Sequence, residues 1–190
     1  MQTLTVVNRM LATLGEAPLN ALTDPHTFRG ACIERLTNRS TVVQSKGWWF
    51  NRELLTIAPN IGDSKLYLPG DVTNVIVPGR LDIVQRGRVL YDTVNGTNVF
   101  TESVDAQITR ELLFEELPEI VAEYIAAYAT LNFQTDFDGD SNKMQKLDRI
   151  YQDATIAFNA EATRQLRYNV IEHNTRLMRL KSRIYRLRRS

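Results

Sequence analysis

Apolar residues recur at helical spacing at the beginning of the chain. Leu4, Val7, Leu11 and Leu14 follow one another at intervals of three or four residues. Gly15 then stands where a helix C-cap is expected, and Pro18 cannot continue a helix. The pattern predicts a first amphipathic helix that ends at Gly15.

A second helix is predicted to begin near Asp24 and to end at Gly47. Aspartate is a favoured N-cap residue, and the proline that follows it suits the first helical position. The apolar stripe of this helix comprises Phe28, Ala31, Cys32, Leu36, Val42 and Val43. Since these positions share one side of a helix, we expect that side to face a core.

The region from Trp48 to about Leu113 changes to strand-like patterning. It contains the turn-forming pairs Pro69-Gly70, Pro78-Gly79 and Asn95-Gly96, and the last pair is a strong hairpin signal. Between the turns lie short β-prone runs, at 48–57, 65–68, 74–77, 82–85, 88–92, 98–101 and 107–114. We therefore expect six or seven short strands in a small antiparallel sheet or sandwich.

The last third of the chain is predicted to be helical again. Pro118 opens one helix, and a turn around Gly139 separates it from a second helix that contains neither glycine nor proline. Toward the C-terminus the apolar residues alternate at the spacings of a coiled-coil seam. The seam consists of Leu166, Val170, His173, Leu177, Leu180, Ile184 and Leu187. A single helix over residues 141–189 would be ~70 Å long, so it must bend or extend beyond its own body.

These elements predict an α+β fold. We expect a discontinuous helical domain of residues 1–47 and 117–190, with a small antiparallel β domain of residues 48–116 inserted into it. The helical domain ends in residues 164–190, which we call the basic arm. The chain has a net charge of +1, but the arm alone carries nine Lys/Arg and one acid, a net +8, and the rest carries −7.

Four interpretations of the basic arm are open. Its charge suits a nucleic acid and its composition suits a membrane surface, yet no recognised nucleic-acid module is present. As a solvated helix face it would leave the apolar seam in water, which is unfavourable. Docking into another protein subunit satisfies both the seam and the charges, so we favour this role, with no membrane involved. The docking residues would be Arg167, His173, Arg176, Leu177, Arg179, Leu180, Lys181, Arg183, Ile184, Arg186, Leu187, Arg188 and Arg189.

Acidic residues concentrate around Pro118. They are Glu111, Glu115, Glu116, Glu119 and Glu123. Two such carboxylates could hydrolyse a glycosidic bond if a sugar cleft held them at the right separation, with an Asp of the β region as one partner. Carboxylates at a helix start also interact favourably with the helix dipole, and they could pair with a basic arm from a neighbouring copy. We favour the structural interpretation and keep a polysaccharide-degrading enzyme as the alternative.

Other candidate chemistry is weak. A calcium loop at 136–147 would need glycine at its sixth position and glutamate at its twelfth, where this chain has Ser141 and Leu147. We interpret the segment as a turn followed by a helix N-cap. His26 and His173 lie in different predicted helices, and Cys32 suits a small core position. We therefore expect no catalytic residue, metal or cofactor, and neither a signal peptide nor a membrane-spanning helix.

Three segments carry a resemblance to a known family. The first is 7–18, VNRMLATLGEAP, a predicted helix that ends in Gly-Glu-x-Pro. The second is 44–51, QSKGWWFN, at a predicted helix-to-strand junction, and the third is 115–119, EELPE, before an aromatic-rich helix. In order and spacing, residues 1–135 resemble the tail tubular protein A family, the adaptor or gatekeeper proteins of short-tailed bacteriophages.

The resemblance implies a helical bundle with a β insertion, in agreement with the hydrophobic pattern. It also implies a virion protein of the phage tail, assembled in the host cytoplasm. Such a protein forms a homo-oligomeric, dodecameric ring between the portal protein and the tail nozzle of the tail tubular protein B type. DNA would pass through the centre of the ring without sequence-specific binding. Some members have been proposed to degrade polysaccharide, but this sequence contains no motif for it.

Overall fold

Four helices and five strands make up the described part of the chain. A computed structural model describes residues 1–173, with side chains to residue 167. The elements are α1 Thr3–Leu14, α2 Arg29–Gln44, β1 Arg52–Ile57, β2 Val72–Ile76, β3 Ile83–Arg86, β4 Val89–Asp92, β5 Val104–Arg110, a 3₁₀ turn Phe114–Glu116, α3 Glu119–Phe137 and α4 Ser141–His173. The predicted α+β fold class is confirmed.

Helix α1 forms and ends as its sequence pattern predicts. Its buried side is formed by Val6, Val7, Met10 and Leu11, all fully inaccessible to solvent. Gly15 adopts a left-handed φ of 77°, and its N–H donates to the carbonyl of Ala12. This is the geometry for which glycine is favoured after a helix C-terminus.

Helix α2 begins at Arg29, so the prediction of a start near Asp24 is wrong. The carboxylate of Asp24 turns backwards and accepts the N–H groups of Asn20 and Ala21 at 2.8 and 2.9 Å. It therefore stabilises the turn before it in place of the helix after it. An aspartate carboxylate can accept the N–H groups of a turn as well as those at a helix N-terminus.

Helix α3 is the centre of the helical bundle and contacts α1, α2 and α4. It follows Pro118, as predicted, and it is buried around most of its circumference. Ala122, Ala126 and Ala129 are completely buried beside Val121 and Ile125. Because alanine side chains are short, the neighbouring helices can approach α3 closely on more than one side.

The β region contains five strands in two small antiparallel sheets, fewer than the six or seven predicted. Residues 65–68 and 98–101 form isolated bridges, Lys65 with Val99 and Tyr67 with Val89. Pro69 has no N–H with which to extend a ladder from 65–68. The two-residue hairpin lies between Arg86 and Val89, whereas Asn95-Gly96 sits in a loop closed by a bridge from Asp92 to Thr97.

The larger sheet has the strand order β1-β5-β2 and two different faces. One face packs into a core that comprises Ile57, Leu66, Leu68, Val77, Ile83, Leu90, Ala106 and Ile108. On the opposite face Leu54 and Ile76 are exposed on either side of Gln107, their common partner in β5. The helical core is a separate cluster that includes Met10, Ile125 and Phe133. The division into domains at residues 47 and 117 stays a prediction.

Candidate docking surface

Two buried amides fasten the helical bundle to the sheet. The side chain of Gln44, at the end of α2, donates to the carbonyl of Leu112 at 3.0 Å and accepts its N–H at 2.9 Å. Asn51, directly before β1, donates to the carbonyls of Gln44 and Arg110 and accepts the N–H of Trp48 at 2.7 Å. Both side chains are at most 1% exposed, so their hydrogen bonds cannot be replaced by water without cost.

Sequence reasoning missed Gln44 and Asn51, although they are the first and last residues of the QSKGWWFN segment that carried the resemblance. The sequence signal that could have identified them is an amide residue at each end of a segment that contains a glycine and two tryptophans. Gly47 between them has a φ of 68°, and a Cβ there would lie 2.7 Å from the hydroxyl of Thr109. The segment is therefore a joint whose backbone and buried polar groups are both constrained.

An aromatic cluster completes the joint and holds α4 against it. Phe158 of α4 is 2% exposed, and its ring lies 4.6 Å from those of both Trp48 and Tyr124. The indole N–H of Trp48 donates to the carbonyl of Val43 at 2.7 Å. Trp49 contacts the same phenylalanine, with ring centroids 5.8 Å apart. The predicted position of the tryptophans, between bundle and sheet, is the observed one.

Helix α4 leaves the body soon after this cluster. Among its side chains from 141 to 167, Phe158 and Ala162 are buried, whereas Leu166 is 61% exposed and Arg167 is also exposed. The helix continues to His173, and its 33 residues correspond to about 50 Å. The remaining predicted docking residues lie outside the described residues. They are Arg176, Leu177, Arg179, Leu180, Lys181, Arg183, Ile184, Arg186, Leu187, Arg188 and Arg189.

A cavity of about 380 Å³, which we call the joint pocket, opens where α4, the joint and the sheet meet. Trp48, Trp49, Gln107 and Leu166 line it together with Lys46 and Arg52. Both charged residues that line it in the described chain are basic. Gln107 also connects the pocket to the exposed apolar row on the outer face of the sheet.

The acidic residues around Pro118 are engaged in structural contacts. Glu123 makes a two-point ion pair with Arg9 at 2.7 and 3.0 Å, and Glu119 holds the N-terminal ammonium at 2.8 Å. Glu116 accepts the N–H of Leu113. Glu115 accepts the hydroxyl and N–H of Thr3, and Glu111 accepts the hydroxyl of Thr41.

Two of these glutamates line a second cavity of about 450 Å³, which we call the acidic groove. Its lining includes Leu36, Asp71, Glu111, Leu113, Phe114 and Glu115. The hydrogen bond from Thr3 lowers the pKa of Glu115, and the Arg110 guanidinium lowers the pKa of Asp71. Both carboxyl groups are therefore ionised at neutral pH.

The residues of the incomplete calcium loop bind protein groups. Asp136 pairs with Arg35 at 2.9 Å, and Asp138 pairs with Lys143 at 2.7 Å. Asp140 accepts the N–H of Lys143 at 2.8 Å, which is the N-cap contact expected at the start of α4. Within the described part of the chain, no three His, Cys, Asp or Glu side chains are placed to hold a metal ion.

The two other residues considered for chemistry have structural surroundings. Cys32 is completely buried in the helical core, and burial raises the pKa of its thiol to about 11. His26 accepts the N–H of Phe28 through Nδ1, and its Nε2 lies 3.6 Å from Glu16. None of the helices described has an apolar stretch long enough to span a membrane.

A small α+β body with a rigid joint, exposed apolar surface and a long helix leaving it is typical of a subunit that builds a larger assembly. A family model described as "Tail tubular protein" matches residues 4–180. The chain therefore belongs to the tail tubular protein family, which confirms the resemblance found in its sequence.

One curated relative is the "Tail tubular protein A" of Klebsiella phage KP34. It is 28% identical over 144 residues, which cover 75% of this chain and 77% of the relative. The protein is thus a structural component of a bacteriophage tail and is located in the virion, where it assembles with other tail proteins.

Proposed function

We propose that this protein is the adaptor of a short-tailed phage, a homo-oligomeric, dodecameric ring that joins the portal protein to the tail nozzle. Double-stranded DNA passes through its central channel without sequence-specific binding. Family membership supports the tail location, and the resemblance to adaptor proteins supports the position between portal and nozzle. In this function the protein acts by binding other proteins, and it catalyses no reaction.

The observation that carries the proposal is the separation of α4 from the body. After Ala162, the helix exposes Leu166, the first residue of the apolar seam. A seam of leucine and isoleucine is unfavourable in water and favourable in a protein groove. The basic arm that bears this seam is therefore our proposed contact with the portal, with His173 and the eleven docking residues beyond it at the interface.

Truncation before Arg164 tests this assignment. Phe158 and Ala162, the buried side chains of described α4, remain in the shortened chain, so the body should keep its fold and its melting temperature. Binding to purified portal protein, measured by co-sedimentation, should be lost. A truncated protein that binds the portal as well as the full chain does would contradict the assignment.

A second pair of variants separates the seam from the charge. Replacing Leu177, Leu180 and Ile184 with serine removes apolar contacts and keeps every arginine. Replacing Arg179, Arg183 and Arg186 with glutamine removes positive charge and keeps every apolar residue of the seam. If the arm docks in a protein groove, the serine variant should lose portal binding at every salt concentration. If the arm binds duplex DNA, the glutamine variant should lose DNA binding, and that binding should weaken steeply with salt.

The alternative, a polysaccharide-degrading tail enzyme, receives less support from the geometry. Glu115 and Asp71 do line the same groove. However, a glycosidase needs one carboxylic acid with a raised pKa as its proton donor, and both of these pKa values are lowered. Release of reducing sugar from host capsular polysaccharide, abolished in Glu115→Gln, would establish the enzyme. No release by the wild-type protein would support the adaptor role.

A further inference from the structure

The joint pocket and the acidic groove carry opposite charges. Among the described residues, the charged ones that line the joint pocket are basic, namely Lys46 and Arg52. Each charged residue that lines the acidic groove is acidic, namely Asp71, Glu111 and Glu115. The two cavities are similar in size, at about 380 and 450 Å³. Their charges are therefore complementary.

Most of these charges have no ionic partner within the described residues. Lys46 and Arg52 make no ion pair there, and neither does Glu111 or Glu115. Glu111 accepts a hydrogen bond from the hydroxyl of Thr41, and Glu115 accepts the hydroxyl and the N–H of Thr3. Asp71 is paired with Arg110. Two unpaired bases on one surface thus match two unpaired acids on the other.

Each surface also presents an exposed leucine. Leu166 at the joint pocket is 61% exposed, and Leu113 at the acidic groove is 69% exposed. The outer face of the sheet adds Leu54, which is 81% exposed and pairs with the pocket residue Gln107. Large apolar side chains beside complementary charges are typical of protein interfaces.

Within the part of the chain that the structure describes, the two surfaces share no lining residue. A contact between them joins different surfaces of two identical chains, and a repeated contact of this kind closes into a ring when its rotation is suitable. A self-complementary contact of one surface with itself would place like charges together, which is unfavourable.

We propose that copies of this chain associate head to tail, with the joint pocket of one copy seated on the acidic groove of the next. This inference rests on the ring in the proposed function and names the surfaces that would form it. Lys46 and Arg52 would then face Glu111 and Glu115 of the neighbour, while Leu166 and Leu113 exclude water between them.

Charge reversal on each surface tests the contact. One variant carries Lys46→Glu and Arg52→Glu, and the other carries Glu111→Lys and Glu115→Lys. Each alone should self-associate at least about tenfold more weakly than the wild type, since like charges would meet across the interface. An equimolar mixture of the two variants should associate as the wild type does, because the acidic joint pocket of the first variant then meets the basic groove of the second. Sedimentation equilibrium at low salt measures all three, since exposed charges are screened at high salt.

A matched control changes the same number of charges elsewhere. Lys146 and Arg149 are exposed on the first turns of α4 and line neither cavity, so Lys146→Glu with Arg149→Glu should associate like the wild type. Circular dichroism and thermal unfolding identify any variant that does not fold. If the variant with Glu111→Lys and Glu115→Lys is unfolded, the variant with Glu111→Gln and Glu115→Gln replaces it. Removing the two charges should weaken association less than reversing them.

Cross-linking identifies the surfaces independently. The native thiol of Cys32 is buried, so Leu113→Cys and Leu166→Cys supply the reactive groups for a short bismaleimide. A mixture of the two variants should cross-link, whereas Leu166→Cys alone, or mixed with Ile61→Cys on an exposed loop, should not.

Three results would overturn the head-to-tail contact. They are a wild-type chain that stays monomeric at every concentration, a mixture that associates no better than its components, and cross-links between two Leu166→Cys chains. The variant with serine at 177, 180 and 184 keeps Leu166 and every other lining residue of the joint pocket, so its test of portal binding does not depend on these results and the two proposals can fail separately.

Discussion

Phe158 is the side chain on which the attachment of α4 to the body most depends. It is 2% exposed and is one of two buried residues among the described side chains of that helix. Its ring stacks on Tyr124 with an interplanar angle of 9° and meets Trp48 edge to face at 79°, both at 4.6 Å. The variant Phe158→Ala therefore removes the anchor of α4 and leaves a cavity at the joint.

The expected loss is about 3–5 kcal/mol, the usual cost of truncating a buried phenylalanine to alanine. Aromatic pairs at these distances account for about 0.5–1.5 kcal/mol each within that range. For a chain of this size, the melting temperature should fall by roughly 10 °C. Because the anchor lies in α4, we also expect faster amide hydrogen exchange in residues 150–167 than in α3 at low denaturant.

Urea denaturation followed by circular dichroism measures the free energy of unfolding. Ile156→Ala is the matched control, since Ile156 lies in the same helix and is 68% exposed; its effect should stay within about 0.5 kcal/mol. A loss below about 1 kcal/mol in Phe158→Ala, or exchange in α4 that is no faster than in the control, would refute the role of Phe158 as the anchor.

Three further predictions concern the body. Gly47→Ala should lower the free energy of unfolding by about 1–3 kcal/mol, because φ is 68° and the new Cβ would lie 2.7 Å from the Thr109 hydroxyl. The control Gly30→Ala, with nothing within 4 Å of its Cβ, should raise it by about 0.4–1 kcal/mol. Equal urea midpoints for the two variants would contradict this prediction. The backbone N–H and the side-chain amide of Asn95 donate hydrogen bonds to buried Asp92 and lower its pKa. The contribution of Asp92 to stability is therefore complete above about pH 4 and is lost as the pH falls through the lowered pKa. When unfolding is measured against pH, the variant Asp92→Asn should lose less stability in acid than the wild type. Burial raises the pKa of the Cys32 thiol to about 11, so a thiol reagent at neutral pH should react no faster than the chain unfolds, and rapid labelling of the native protein would contradict the burial.

Local sequence signals were sufficient for the regular helices. The apolar spacing of α1 and its terminal glycine specify an amphipathic helix and its end, because helix geometry and the left-handed C-cap depend on neighbouring residues alone. Pro118 and Asp140 mark the starts of α3 and α4 for the same reason. The fold class and the family followed from these signals together with the tryptophan segment.

Where local preferences were compatible with two structures, the sequence pattern alone did not identify the one that forms. Asp24 can cap a helix or stabilise a turn, and the turn is the one observed. The runs at 65–68 and 98–101 have strand composition, but each finds a partner at isolated positions and forms no ladder. Strand formation requires a second strand from elsewhere in the chain, and no local pattern contains that information.

The sequence by itself determined the helical segments, the family and the concentration of positive charge in the basic arm. The tertiary structure alone decided which groups meet: Gln44 with Leu112, Phe158 with Trp48, and Lys46 with Leu166 in one pocket. The physical reason is the distance along the chain over which each kind of interaction acts. Helix periodicity and capping act over a few neighbouring residues, whereas pockets and buried polar joints form between residues far apart in the chain, whose positions are set by the packing of the whole fold.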